Sequence, residues 1–106
     1  MSTTWRRFEV LLPRHLNDGR EVPPEVLAGA LREILDQFDA ASSETQTIEG
    51  HWRQSGELYQ DVLVRLFVDI PDIAPNRDWM RQFKERWRDR LEQIDLWVVS
   101  YAIEVE

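Results

Sequence analysis

The chain has 106 residues, of which 42% are hydrophobic and 31% are charged, and this composition is typical of one soluble globular domain. It contains no cysteine, which excludes disulfides, thiolate catalysis and zinc or iron–sulfur sites built on thiolates. Thirteen basic and twenty acidic residues give a net charge of −7. A chain this acidic lacks the broad positive surface that nucleic acids and anionic membranes attract, so we expect neither as a partner.

Targeting signals are not visible in the sequence. The first residues lead directly into a strand-like run, without the apolar stretch of a signal peptide. No window approaches the roughly 18 consecutive apolar residues of a membrane span. We therefore expect a cytoplasmic protein.

The first half of the chain predicts a strand, a loop and a helix. Apolar and polar residues alternate over 5–13, a pattern typical of a half-buried strand. A loop with an Asn-Asp-Gly turn covers 14–22. Pro23 and Pro24 then open a helix, because proline fits the first helical turn. The apolar stripe of this helix consists of Val26, Leu27, Ala30, Leu31, Ile34, Leu35 and Phe38.

The second half predicts a hairpin, a helix and a last strand. A polar connection over 40–44 leads to strands at 45–53 and 58–70, and the short Gly-containing link between them indicates a hairpin. Asn76 is the expected N-cap of the second helix. A final alternating strand covers 96–105. The predicted buried stripe of the second helix consists of Trp79, Met80, Phe83, Trp87, Leu91 and Ile94.

The resulting order, β-α-β-β-α-β, predicts a single α+β domain over 1–106 with the ferredoxin-like split βαβ arrangement. Right-handed crossovers place both helices on one face of a four-stranded antiparallel sheet. The predicted helix-side residues are Phe8, Val10, Leu12, Val62, Val64, Leu66, Val68 and Ile70, with Trp97, Val99, Tyr101, Ile103 and Val105 from the last strand.

The other face of the sheet, here called the open sheet face, has no covering layer from this chain. By alternation it carries Leu11, Leu63, Phe67, Leu96 and Val98, interleaved with Arg7, Glu9, Asp61, Arg65 and Ser100. A fully solvated face would be more polar, so we expect contact with another surface, most simply in a homodimer. The alternative is a monomer with scattered exposed apolar residues, which is also common.

The hairpin register decides which face Trp52 occupies. An even-numbered turn pairs Trp52 with Tyr59 and places both on the open sheet face, because paired residues share a face. A bulge, for example at Gly50, would instead return Trp52 to the core. We favour the even turn because it needs no irregularity, but the sequence leaves both registers open.

No motif in the sequence carries a recognisable chemistry. His15 and His51 lack the spacing of a zinc site, and no phosphate-binding glycine loop or nucleophile elbow is present. The acidic residues of the strands are explained by cross-strand ion pairs. The basic residues of the second helix are interrupted by acids, which favours a solvated helix over a nucleic-acid surface. We expect no metal and no cofactor.

Two functions remain open. The first is a non-enzymatic binding or interaction module that self-associates through the open sheet face. The second is a small cofactor-free enzyme or ligand-binding protein, with a small-molecule pocket between the sheet and a partner subunit. The candidate pocket or interface residues are Leu11, Trp52, Tyr59, Asp61, Leu63, Arg65, Phe67, Leu96 and Val98.

Three runs of the sequence resemble a group of small bacterial hypothetical proteins with the same element order. They are FEVLLP at 8–13, DGREVPP at 18–24, and HWR followed by GELYQD within 51–61. The resemblance spans most of the chain and implies a fold, but no activity.

A second resemblance is to the divalent-cation-tolerance family. The sequence Gly-His-Trp at 50–52, then Gly56 and the aliphatic run at 62–64, is similar to the hairpin of that family. The family's cysteine and its His-Pro-Tyr segment are absent, so the resemblance does not extend to metal binding or trimer formation. Small cofactor-free monooxygenases of the dimeric α+β barrel type are similar at the level of the fold, which does not carry function.

Overall fold

The computed structural model describes residues 4–106 and has the predicted ferredoxin-like α+β arrangement, with five strands in place of four. The additional strand is the pair Ser42–Ser43, in the segment predicted as a polar connection. In chain order the elements are β1 (Trp5–Pro13), α1 (Pro24–Phe38), β2 (Ser42–Ser43), β3 (Ile48–Gln54), β4 (Glu57–Pro71), α2 (Ala74–Arg90) and β5 (Trp97–Ile103).

The long strand β4 organises the sheet. Along one edge it pairs with β1, and along the other edge it pairs first with β3 and then with β2, all antiparallel. Leu63 lies at the junction, because it pairs with Pro13 on one side and with Ile48 on the other. Strand β5 pairs with the free edge of β1. The terminal strands β1 and β5 are therefore neighbours, and β3 lies at the far edge.

Both helices pack on the same face of the sheet. From β1 and β4 the core takes the predicted alternating sets, Phe8, Val10 and Leu12 with Leu66, Val68 and Ile70, all at most 8% exposed. The helices contribute Ala30 and Ile34 from α1 and Met80, Phe83 and Trp87 from α2. These positions confirm the predicted stripes at their centres, where the helices lie over the sheet.

Helix α2 differs from its prediction at both ends. It begins at Ala74 with Ile73 as N-cap, and Asn76 instead donates its side-chain amide to the carbonyl of Pro71 at 2.9 Å. Proline at the second helical position suits this earlier start. At the other end, Ile94 lies beyond the helix and is 61% exposed. Ile94 therefore does not belong to the buried stripe.

The last strand has the opposite orientation to the one predicted. Val98 pairs with Val10 and packs against the core, whereas Trp97 pairs with Leu11 and points to the open sheet face, 63% exposed. Leu96, expected on the open sheet face, is 1% exposed on the helix side. The prediction was wrong because both alternating sets contain apolar residues. Alternation separates two faces, but it does not say which one the helices cover.

The β3–β4 hairpin extends beyond the helices. Its residues 48–63, here called the hairpin arm, contribute no member of the core cluster within the described part of the chain, 4–106. Leu58, on the arm's helix-side face, is 62% exposed. The radius of gyration is 14.6 Å, whereas a compact chain of this length gives about 13 Å. The molecule is thus a covered α/β layer with a projecting two-stranded arm.

No helix within 4–106 is long and apolar enough to cross a membrane. This finding concerns spanning helices and not binding to a membrane surface. The expected absence of a membrane partner therefore stays a prediction. The cytoplasmic location also stays a prediction.

Candidate functional site

The hairpin arm has the register that an even-numbered turn predicts. Trp52 pairs with Tyr59, and Gly50 pairs with Asp61, with no bulge at the glycine. The two turn residues, Ser55 and Gly56, both take positive φ, at 53° and 82°. Positive φ at both positions is the signature of a type I′ turn, whose twist matches that of the two strands. The turn therefore places Trp52, Tyr59 and Asp61 together on the open sheet face.

A pocket of about 600 Å³ lies on the open sheet face at the base of the arm. Leu11 and Leu63, from the two central strands, form its apolar floor. Trp52, Tyr59 and Asp61 border it on the arm side. On the opposite side it is bordered by Ile94, Leu96 and Trp97, from the segment between α2 and β5 and the start of β5. The volume is within the range of small-molecule sites, roughly 300–1,000 Å³.

The arm side of the pocket carries an ordered aromatic pair. The Trp52 and Tyr59 rings stack with their centroids 4.3 Å apart and their planes 15° apart. Trp52 Nε1 donates a hydrogen bond of 2.8 Å to Asp61 Oδ2, which holds the indole in one orientation. The Tyr59 hydroxyl donates to Glu57 Oε2 at 2.9 Å, and this hydrogen bond to a carboxylate raises the pKa of Tyr59. Tyr59 therefore stays protonated at neutral pH.

The two carboxylates that line the pocket differ in their partners. Asp95 is paired with Lys84, whose Nζ lies 3.2 Å from Asp95 Oδ1. Asp61 accepts only the neutral indole N–H of Trp52, and no cationic side chain within 4–106 forms an ion pair with it. Arg53 also borders the pocket, but strand alternation directs it to the opposite side of β3 from Trp52. Asp61 thus brings a negative charge without a counter-ion to the pocket.

Beyond the pocket, arginine and acidic residues of the open sheet face are paired with each other. Arg7 forms a bidentate pair with Asp69, at 2.7 and 2.9 Å, and its guanidinium lies 4.8 Å from the Phe67 ring centroid. The hydrogen bonds to the Asp69 carboxylate raise the pKa of Arg7 further above its usual value. Arg65 Nη1 donates to Glu44 Oε1 at 2.7 Å. The Tyr101 hydroxyl donates to Glu9 at 2.9 Å.

Six of the nine candidate site residues border the pocket, although Leu96 is 1% exposed and belongs to the core cluster: Leu11, Trp52, Tyr59, Asp61, Leu63 and Leu96. Arg65 and Phe67 lie on the open sheet face outside the pocket. Val98 packs with the helix-side core, so its placement on the open sheet face was wrong. The role of these residues as an interface or a binding site stays a prediction.

Of the apolar residues on the far side of the pocket, sequence reasoning missed Ile94 and Trp97. Both are apolar residues that periodicity assigned to the core. The signal that separates them from core residues is the pairing of β5 with β1, which places Trp97 beside Leu11.

The histidines and acids within 4–106 form no group of three that could hold a metal ion. Catalytic metal sites take three protein ligands and structural sites four. The side chains that border the pocket are instead largely aromatic and aliphatic, with the two carboxylates Asp61 and Asp95. They suit a flat organic ligand.

Comparisons with known proteins identify neighbours in structure only. No protein-family model matches this sequence, and no curated protein matches it. The resemblance to a group of bacterial hypothetical proteins therefore stays a prediction. Among solved structures, a phage SAM lyase in complex with S-methyl-5′-thioadenosine is similar, with 13% identity and a TM-score of 0.70. The alignment covers 100% of this chain and 94% of that chain.

The divalent-ion tolerance proteins are also structural neighbours, as the second resemblance implies. CutA1 from Ehrlichia chaffeensis has 6% identity and a TM-score of 0.63, over 100% of this chain and 87% of that chain. CutA from Synechococcus elongatus has 5% identity and a TM-score of 0.62, over 96% and 79%. At these identities the similarity establishes a shared fold, and a shared fold does not carry function.

Proposed function

We propose that this chain is a small binding protein that self-associates as a homodimer through its open sheet face, with the pocket at the edge of the contact. One observation carries the proposal. The open sheet face combines uncovered aromatic and aliphatic side chains with arginines that already contact carboxylates of the same face.

The pairing of charges matters because covering a face removes it from water. An unpaired charge that loses its hydration costs several kcal/mol, and a paired charge costs far less. The bidentate contact between Arg7 and Asp69 and the contact between Arg65 and Glu44 supply partners in advance. A second copy can therefore cover this face while the Arg7–Asp69 pair stays matched and Arg65, whose Nε has no hydrogen-bond partner within 4–106, keeps its contact with Glu44 through Nη1.

The exposed aromatic residues support the same proposal. On the open sheet face Trp97 is 63% exposed, Tyr101 43% and Trp52 37%. Tryptophan and tyrosine are enriched at protein interfaces, where their large rings supply most of the binding energy. Because a twofold axis brings the same patch of two copies together, a homodimer is the simplest assembly of two such faces.

The experiment is light scattering coupled to size exclusion, repeated over a range of protein concentrations, with native mass spectrometry on the same samples. We expect a dimer for the unmodified chain. Phe67→Glu and Trp97→Glu each place a new charge on the open sheet face, and we expect both to shift the equilibrium to the monomer. Leu58→Arg is the matched control, because Leu58 is 62% exposed on the helix-side face of the arm.

A monomer at every concentration contradicts the proposal. So does a dimer that both variants leave unchanged while Leu58→Arg disrupts it. Circular dichroism checks that each variant keeps the fold. We expect that it does, because neither Phe67 nor Trp97 belongs to the core cluster.

A small cofactor-free enzyme is the second candidate, favoured by the pocket in a fold shared with a phage SAM lyase. For this candidate the Asp61 carboxylate would attract the sulfonium charge of S-adenosylmethionine, and the aromatic pair would hold its base. The bond between the sulfonium sulfur and the aminobutyrate chain would break as the chain's own carboxylate closes onto the carbon that the sulfur leaves. Incubation with S-adenosylmethionine should then release S-methyl-5′-thioadenosine and a lactone, both detected by liquid chromatography and mass spectrometry. A rate equal to that of buffer alone removes this candidate.

A further inference from the structure

The pocket at the base of the hairpin arm combines three features on one surface: a stacked aromatic pair, a carboxylate without a counter-ion and an exposed indole on the opposite side. They come from β3, β4 and β5, which the register of the sheet brings together. Each feature favours a particular property of a ligand.

The aromatic pair favours a flat ring. Since Trp52 and Tyr59 stack on each other, a planar ligand extends the stack by lying on an outer ring face. The hydrogen bond from Trp52 to Asp61 fixes the indole before the ligand arrives. Little conformational entropy is then lost on binding, and preorganisation of this kind increases affinity.

The carboxylate favours a positive charge. Asp61 lies beside the aromatic pair, and its only polar partner within 4–106 is the neutral Trp52 indole. Asp95, the other carboxylate of the pocket, is already paired with Lys84. A cation near Asp61 gains a direct Coulomb attraction, and it also gains the attraction of the electron-rich ring faces.

The size and shape of the pocket limit the ligand further. About 600 Å³ exceeds the volume of a single small ring and suits a ring with an attached sugar or chain. Leu63 packs closely over Gly50, which lies opposite Asp61: a Cβ at Gly50 would lie only 3.0 Å from Leu63 Cδ1, so a larger residue there would displace the floor of the pocket. Trp97 borders the far side and remains 63% exposed, so its ring is free to cover a bound ligand.

We propose that this pocket binds a planar aromatic cation of nucleoside size, stacked on the Trp52–Tyr59 pair with its positive charge beside Asp61. Binding in this pocket depends on the geometry of one chain only, whereas self-association needs two. A monomer that binds the cation would contradict the homodimer and support the pocket. A dimer that fails to bind it would contradict the pocket alone.

Isothermal titration with 7-methylguanosine and guanosine tests the charge requirement, because the two nucleosides share size and ring. At slightly acid pH the methylated base carries a full positive charge and guanosine carries none. We expect 7-methylguanosine to bind about tenfold more tightly, the factor that a cation–π contact with a nearby carboxylate supplies. Equal affinity for the two nucleosides, or no measurable binding of either at millimolar concentration, would overturn the proposal.

Two variants assign the effect to its residues. Asp61→Asn keeps the size of the side chain and its acceptor for the Trp52 N–H, and we expect it to reduce the preference for the cation to the part that the ring faces supply. Trp52→Leu should weaken both nucleosides, and 7-methylguanosine more, because it removes stacking from both and the cation–π attraction from the cation alone. Glu49→Gln is the matched control for Asp61→Asn, because Glu49 is an exposed carboxylate on the neighbouring strand β3 and faces the opposite side of the sheet. A preference that is unchanged in Asp61→Asn but lost in Glu49→Gln would contradict the assignment.

Discussion

The two halves of strand β4 share one sequence pattern and differ in their surroundings. Residues 64–71 lie beneath the helices, and their helix-side members Leu66, Val68 and Ile70 are each 2% exposed. Residues 57–63 continue the same alternation into the hairpin arm, where the helix-side residue Leu58 is 62% exposed. The pattern along a strand therefore assigns side chains to faces, whereas the packing of other elements decides whether a face becomes core.

The candidate site lies at the boundary between the two halves of β4. The covered half of the sheet buries its aliphatic side chains and supplies most of the stability. The arm half leaves aromatic and acidic side chains accessible on the open sheet face, and the pocket lies where the halves meet, at Leu63. Binding residues are commonly placed on such less supported segments, held in position by a rigid scaffold.

The largest expected effect contrasts the core with the arm. Phe83 is 0% exposed and packs between the Trp79 and Trp87 rings, at centroid distances of 5.5 and 6.0 Å. Phe83→Ala leaves a cavity, so we expect the free energy of unfolding in urea to fall by about 3–5 kcal/mol. Leu58→Ala on the arm should change it by less than about 0.5 kcal/mol. Losses of similar size in both variants would remove the distinction between the two regions.

A smaller change in the free energy of unfolding is expected when each of two glycines is replaced by alanine. Gly56, in the turn of the arm, has φ +82°, which an alanine adopts with strain, and we expect Gly56→Ala to lower the free energy of unfolding by about 1 kcal/mol. Gly29 lies within α1, and a Cβ there meets only Trp87 at an ordinary 4.0 Å. Gly29→Ala should raise the same quantity by up to about 1 kcal/mol, because alanine is the better helix former. The type I′ turn would be contradicted if Gly56→Ala, like Gly29→Ala, raised the free energy of unfolding in urea.

The third prediction concerns the free energy of unfolding at acid pH. The residue involved, Asp72, follows the end of β4 that lies away from the arm. Asp72 accepts hydrogen bonds from Arg77 and Arg6, which lower its pKa from 3.8 to about 2. Because the folded pKa is depressed, the stabilisation is present above pH 3.8 and is lost as the pH falls toward 2. Asp72→Asn should flatten the decline in unfolding free energy across that interval. The exposed Asp36→Asn is the control, and a flattening of the same size there would contradict the assignment.

Much of the fold was predictable because its signals are local. Two prolines open α1, and helical spacing placed Ala30 and Ile34 in the core. The Ser-Gly link predicted a hairpin and favoured the even-numbered register, which places Trp52 beside Tyr59 and Asp61, although the sequence left a bulge at Gly50 open. In these segments one face is clearly apolar or a short link joins two strand-like runs.

The remainder depends on interactions between distant segments. The orientation of β5 is decided by its pairing with β1, since both of its faces contain apolar residues. Helix α2 ends at Arg90, and Glu92 then takes φ 55°, a conformation that a glycine would have indicated in the sequence. Without that glycine, Ile94 continues the helical spacing and is mistaken for a core residue. Strand β2 is two serines paired through their backbone with Phe67 and Leu66, which leaves no apolar pattern to recognise.

The projecting arm also has a consequence for the dynamics of the protein. Its cross-strand hydrogen bonds are covered by no helix, so the arm can open locally without unfolding the β1–β4 pairing, and its amide protons should exchange with solvent first. A ligand or a second copy that holds Trp52 against the sheet would have to suppress this opening. Part of the binding free energy is then spent on ordering the arm, and slower amide exchange at 48–63 becomes a direct signal that the pocket is occupied.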